Sequence, residues 1–412
     1  MKAFTVLVTL ALATTAVCAP VHASPQVSEE SDCSTVNLDG PRGPLRGMPI
    51  FNQLGGTCWA HAAIELAEAW RRSHPPVPPE PAPIPEPSPG GLKHISSPLA
   101  LAEAMAHESG QMVDFNKGEG VWEALDYLGA HGSCNHSALF GNGGAGLDMV
   151  DQKKLVDFLS AAYRRQGQWN IGNKDWLLST VLELKALHPE WDWQRANLEA
   201  FYQGALQSGA SRQLCSDLAL SYAGVQYPQP FNSSSISDLL AAMLASNDSL
   251  GGFVDDYFRK VCDRNHIPLS LPQSSSFSVV PDGDFFRSLK PNFRTESSAR
   301  KVIDAHLLAP NPQPVGIAFC SDVIESDVEA RHRQLATSDK LASCSNHDEH
   351  AVIIIGRRWD DKHKKCSYKI RNSWGIGCAS FKDSWDCDDR GQIWVDSDAL
   401  LANTLSVDYL GK

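Results

Sequence analysis

Cys58 stands at the end of the turn Asn52-Gln53-Leu54-Gly55-Gly56-Thr57 and opens the helix-prone run Trp59-Ala60-His61-Ala62-Ala63, which continues to about Arg72. A helix start presents unpaired N–H groups and a partial positive charge. A thiol placed there is easier to ionise, and the thiolate is the reactive form. Two distant segments carry the groups such a nucleophile needs. Asn346-His347-Asp348-Glu349-His350 leads into the apolar run Ala351-Val352-Ile353-Ile354-Ile355-Gly356 and offers a base. Tyr368-Lys369-Ile370-Arg371-Asn372-Ser373-Trp374-Gly375 offers an amide to orient that base. In this reading His350 takes the thiol proton and later gives it to a leaving amine, while Asn372 fixes the imidazole tautomer. His347 competes with His350, but no Ala-Val strand follows it. His61 lies one turn from Cys58 on the same helix and reads as packing or local polarity.

Helices come first along the chain and strands last. Pro98–Ala106 and Val121–Leu128 follow the helical period, as do several runs between residues 148 and 266. Stretches 228–236 and 267–281 read as loops. Val315–Phe319, Val352–Ile355, Cys366–Arg371 and Gln392–Asp396 are short and β-branched or alternating, hence strands. This order predicts an α+β chain of two lobes.

These segments resemble the papain family of cysteine peptidases. Gly56-Thr57-Cys58-Trp59 is similar to the sequence around the family's nucleophile, without the cysteine that usually precedes it. Glu349-His350-Ala351-Val352 with Gly356 resembles its histidine strand, and Arg371-Asn372-Ser373-Trp374-Gly375 its Asn-Ser-Trp-Gly element. Pro314–Ala318 and Gly391–Val395 look like the strands on either side. The resemblance implies a papain-like two-lobe fold, with a helical lobe and an antiparallel β-rich lobe, and a catalytic set of Cys58, His350 and Asn372. It also implies that Trp374 shields the His–Asn hydrogen bond, that Trp59 supports the nucleophile, and that a side-chain amide completes the oxyanion hole. Gln53 is the favoured amide. Asn52, the alternative, holds the family's spacing from the cysteine. Gly118 and Gly120 resemble the glycine wall of the substrate cleft. The implied activity is that of an exported endopeptidase acting on proteins or peptides, with no cofactor and no metal. The rivals are acyl transfer or deamidation by the same triad, and a non-catalytic binding module that keeps the fold.

Cys58 and His350 lie much further apart than the roughly 130–150 residues of the family. The division that follows is a signal peptide over 1–23, a short propeptide-like lead over 24–48 and a helical lobe over 49–134 with a Pro-rich loop at 75–91. A mostly helical insertion over 135–295 and a β-rich lobe over 296–412 complete it. The insertion is expected to pack beside the cleft, where a protein inhibitor or partner could sit.

Lys2, the apolar run Phe4–Val17 and Val21-His22-Ala23 form the three parts of an export signal, with cleavage after Ala23. The expected location is secreted or periplasmic, with no membrane anchor once the signal is removed. Of the 11 cysteines, Cys18 leaves with the signal. Most of the others should pair in an oxidising compartment, and local spacing favours Cys320 with Cys344 and Cys378 with Cys387. No CxxC pair is present, which weighs against zinc. A net charge of −12 weighs against nucleic acid, whose phosphates need clustered Lys and Arg.

Overall fold

The computed structural model describes residues 33–53, 56–75, 95–110, 118–140, 258–259, 261–284, 291–325, 333–334, 343–345 and 349–411. They form an α+β fold, as the order of periodicities predicts. The helices are α1 (Cys58–Ser73), α2 (Pro98–Glu108), α3 (Val121–His131), α4 (His136–Phe140), α5 (Glu296–Leu307), α6 (Asp322–Glu325) and α7 (Ser397–Asn403). The strands are β1 (Val36–Asn37), β2 (Ser133–Cys134), β3 (His266–Ile267), β4 (Ser274–Val280), β5 (Phe293–Thr295) and β6 (Val315–Cys320). They continue with β7 (Arg333–Gln334), β8 (Ser343–Cys344), β9 (Glu349–Asp360), β10 (Lys365–Arg371), β11 (Asp386–Cys387), β12 (Ile393–Asp396) and β13 (Thr404–Leu410).

One large sheet runs in the order β11-β12-β10-β9-β6-β13-β4-β5, with β1 added to β9. Its pairs are antiparallel except β4 with β5. Strand β9 is buried from His350 to Arg357 without alternation, because α1 packs against it and so does α5. Such a strand reads as a continuous apolar run, which is why Ala351–Ile355 was legible. Helix α1 is buried from Cys58 to Ala69. Its alanines at 60, 62, 63, 67 and 69 let it approach the sheet closely. Thr57 is its N-cap and makes no side-chain cap bond; its carbonyl accepts from the Ala60 N–H at 3.0 Å, and the N–H groups of Cys58 and Trp59 face the Cys58 sulfur. Helices α2, α5 and α7 are capped in the ordinary way by Ser97, Thr295 and Asp396.

Two segment assignments need correction. The lead does not behave as a detachable segment over 33–48. Cys33 is disulfide-bonded to Cys366, β1 pairs with β9 through Val36↔Arg357 and Asn37↔Gly356, and buried Asp39 meets Lys369 at 3.2 Å and Arg390 at 3.0 Å. Gly356 belongs to this arrangement, since a Cβ there would lie 2.5 Å from the Val36 carbonyl. The insertion is likewise not helical up to residue 295. Strand β4, in a stretch read as loop, pairs with β13 and β5 inside the main sheet. Ser274–Ser276 is too polar to announce a strand, and its partners supply the pairing that its own pattern does not. Residues 141–257, most of the Pro-rich loop and the export signal lie outside the described residues.

Cys134–Cys262, Cys320–Cys344 and Cys378–Cys387 join Cys33–Cys366 as disulfides, so both pairs expected from local spacing are present. Such pairs are compatible with an oxidising compartment. No described helix is long and apolar enough to cross a membrane.

Candidate functional site

Cys58, His350 and Asn372 come from three elements that pack together. Cys58 is the first residue of α1, His350 is the second of β9, and Asn372 directly follows β10. Cys58 is buried and is the free cysteine among the described residues. The Ala351 N–H, next to His350, faces its sulfur together with the N–H groups of Trp59 and Cys58 itself. Those donors favour the thiolate. Burial disfavours it and has the larger effect, so the thiol lies above its ordinary value. The expectation that a helix start eases ionisation is therefore corrected. The helix terminus is real, but the desolvation of a buried sulfur outweighs it.

His350 is buried, and its Nε2 lies 2.8 Å from Asn372 Oδ1. The Ser373 N–H donates to the same oxygen at 2.7 Å. Two approaching nitrogens fix that atom as an acceptor, so His350 carries its proton on Nε2 and Nδ1 keeps its lone pair. Trp374 stacks on the imidazole at 4.6 Å and 27°, and Phe381 stacks on Trp374 at 5.9 Å. Burial lowers the His350 pKa to about 4, although the bond to Asn372 works in the opposite direction. These directions favour a neutral imidazole and a protonated thiol, and the Ala351 N–H is what links Cys58 to the histidine strand.

Asn52 and Gln53 run alongside the Asn-Ser-Trp-Gly element. Gln53 N–H donates to the Ser373 carbonyl at 2.5 Å, and Gly375 N–H to the Phe51 carbonyl at 2.9 Å. The Ser373 hydroxyl donates to Gln53 Oε1, which leaves the Nε2 amide as the donor end of that side chain. The Asn52 side chain lies over Gly375, where an added Cβ would sit 3.4 Å from its Cγ. Leu54 and Gly55, which would decide how the turn is shortened, lie outside the described residues, as does His347. Trp59 is buried in α1.

Among the described residues, no hydrogen bond or ring contact joins Gly118 or Gly120 to Cys58. They lie in the loop entering α3, and Gly120 is the N-cap of that helix. A Cβ on Gly120 would meet only the movable end of the Glu123 side chain, so nothing in its surroundings requires glycine there.

His61 fits its reading as packing or local polarity, while the neighbours His136, Phe51 and Arg371 carried no sequence signal. Buried His61 donates from Nδ1 to the Thr57 carbonyl at 2.9 Å, and its Nε2 is buried without a hydrogen-bond partner. Burial is the main cause that lowers its pKa to about 4, with smaller contributions from His136 and His350. Phe51 meets the rings of both His61 and His136 edge-on, at 5.3 and 5.9 Å. Arg371, beside Asn372, is fully buried and pairs with Glu65 of α1 at 2.7 Å. Among the described residues, no group of three or more His, Cys, Asp or Glu is arranged to hold a metal ion. A scan against models of protein families and a search of curated proteins found no match.

Proposed function

We propose that this chain is an exported papain-like cysteine endopeptidase that cleaves protein or peptide bonds through a thioester acyl-enzyme. The observation that carries the reading is the 2.8 Å His350–Asn372 pair, roofed by Trp374 and set beside the thiol at the start of α1.

In this reading the helices around α1 form one lobe and the antiparallel strands carrying His350 and Asn372 form the other. His350 Nδ1 accepts the Cys58 proton as Sγ bonds to the substrate carbonyl carbon, giving a thioether-bound oxyanion and an imidazolium. Asn372 holds the imidazolium through Nε2–H, and the Trp374 ring keeps water from that bond. The Cys58 N–H and the Gln53 amide donate to the oxyanion. When the C–N bond breaks, the imidazolium proton moves to the leaving amine. Water then gives a proton to His350 and its oxygen to the acyl carbon. The C–S bond breaks, the acid departs and the thiol is restored.

A buried pair that starts neutral charges at the moment of reaction. Substrate contacts then stabilise the ion pair where bulk water cannot. The test is to purify the mature chain in mild reductant and offer a mixed peptide library, with Cys58→Ala as control. Cleaved peptides that vanish with Cys58→Ala support the reading. Products carrying an added amine, or glutamines turned to glutamates, would show acyl transfer or deamidation instead. Peptide binding without turnover would mark a binding module.

A further inference from the structure

Arg371 ends β10 and precedes Asn372, and its side chain is fully buried. Its Nε donates to Glu65 Oε1 at 2.7 Å. Its Nη2 donates to the Met48 carbonyl at 3.2 Å and to the Pro49 carbonyl. Glu65 is also buried and stands about two turns along α1 from Cys58. Met48 and Pro49 lead directly into Asn52 and Gln53.

One guanidinium, carried on β10, therefore meets two other chain segments, and each of the three delivers one group to the candidate site. Helix α1 delivers Cys58, the 48–53 segment delivers Gln53, and β10 delivers Asn372. Stability alone does not account for such a pair. Burying two charges costs several kcal/mol, and well-packed apolar residues of similar volume are commonly as stable. An apolar pair cannot aim donors in fixed directions at a carboxylate and two carbonyls at once. A planar guanidinium, charged at every working pH, can do so. Arg390 adds a second donor to the Met48 carbonyl at 2.7 Å and binds Asp39, so the segment is gripped from two sides.

The geometry points to Arg371 as a positioning residue: paired with Glu65 and seated on the Met48 and Pro49 carbonyls, it sets the separations among Cys58, Gln53 and Asn372. The inference rests on the peptidase reading for the importance of those three groups, while the contacts themselves do not depend on it.

The test compares Arg371→Met, Arg371→Lys and the double variant Glu65→Leu/Arg371→Met with the unaltered mature chain. The readouts are Tm, kcat and KM, and the rate of Cys58 alkylation by iodoacetamide as a function of pH. Arg371→Met strands a buried carboxylate and should lower Tm. The double variant should recover Tm. Its kcat should nevertheless stay down by about 100-fold with KM little changed, since a misplacement near 1 Å costs about that much. Its alkylation profile should also shift. Arg371→Lys keeps a charge for Glu65 but lacks the fork, and should recover kcat only in part. A double variant that regains Tm, kcat and the alkylation profile together would overturn the inference. So would a folded Arg371→Lys protein with full kcat, should the double variant fail to fold. If the unaltered chain turns over no peptide, the peptidase reading fails by itself. The alkylation profile then still decides whether Arg371 positions the thiol.

Discussion

Replacing His61 by leucine should flatten the dependence of stability on pH. His61 is buried, with Nδ1–H on the Thr57 carbonyl and no partner for Nε2, and its pKa falls from 6.5 to about 4. The folded state therefore refuses a proton that the unfolded chain accepts throughout that window. A base whose folded pKa is depressed contributes stability that is complete above the unfolded value and is lost as pH falls towards the folded one. The interval of about 2.5 pH units corresponds to roughly 3.5 kcal/mol at about 1.4 kcal/mol per unit. In the leucine variant that proton site is gone. The variant should lose about 1 kcal/mol at every pH from the missing bond to Thr57. Below pH 6.5 it should gain on the wild type by about 1.4 kcal/mol per pH unit. His136 and His350 lie near the same ring, and each is a smaller cause of its lowered pKa than burial. Urea unfolding of both proteins at half-unit steps between pH 4.5 and 7.5 measures the difference directly. Parallel stability curves across that range would show that His61 titrates normally, and the account of a dry, neutral imidazole beside Cys58 would be wrong.

Three further outcomes follow from the same geometry. His350 must be neutral to act as base, and burial holds its pKa at about 4, so the acidic limb of kcat/KM should fall near pH 4; a limb above pH 6 would contradict a buried, neutral base. Gln53→Ala should lower kcat by roughly 100- to 1,000-fold, the usual cost of an oxyanion donor, while Asn52→Ala should cost far less; the reverse order in steady-state kinetics would transfer the role to Asn52. Non-reducing peptide mapping should recover Cys33–Cys366, Cys134–Cys262, Cys320–Cys344 and Cys378–Cys387, and a chain nicked between Cys33 and Cys58 should release its N-terminal fragment only after reduction; loss of that fragment without reductant would show that the lead is detachable after all.

Local pattern was enough for the elements that hold the candidate site. The alanine-rich helix after Cys58, the apolar run after His350 and the alternation from Cys366 to Arg371 each announce themselves within about ten residues, because burial leaves a local mark in the sequence: a run of small or apolar residues where an element is buried all round, an alternation where one sheet face is favoured. Cys58, His350 and Asn372 were proposed from residue types, order and motif resemblance, and the Cys320–Cys344 and Cys378–Cys387 pairs from short spacing, which the disulfides match. Tertiary structure decided what depends on partners remote in the chain. β4 is a strand because β13 and β5 flank it, although its serines suggest a loop. Val36 and Asn37 join the sheet beside Gly356, and Cys33 and Asp39 are tied to Cys366 and Lys369. The protonation of Cys58 and His350 reverses the expectation drawn from a helix start, since desolvation is set by everything packed around a group and not by its neighbours in sequence. Arg371 reads in sequence as one charged residue in a strand. Only the fold brings Glu65 and two carbonyls to it, and makes that charge a fixed point between the segments that carry the site.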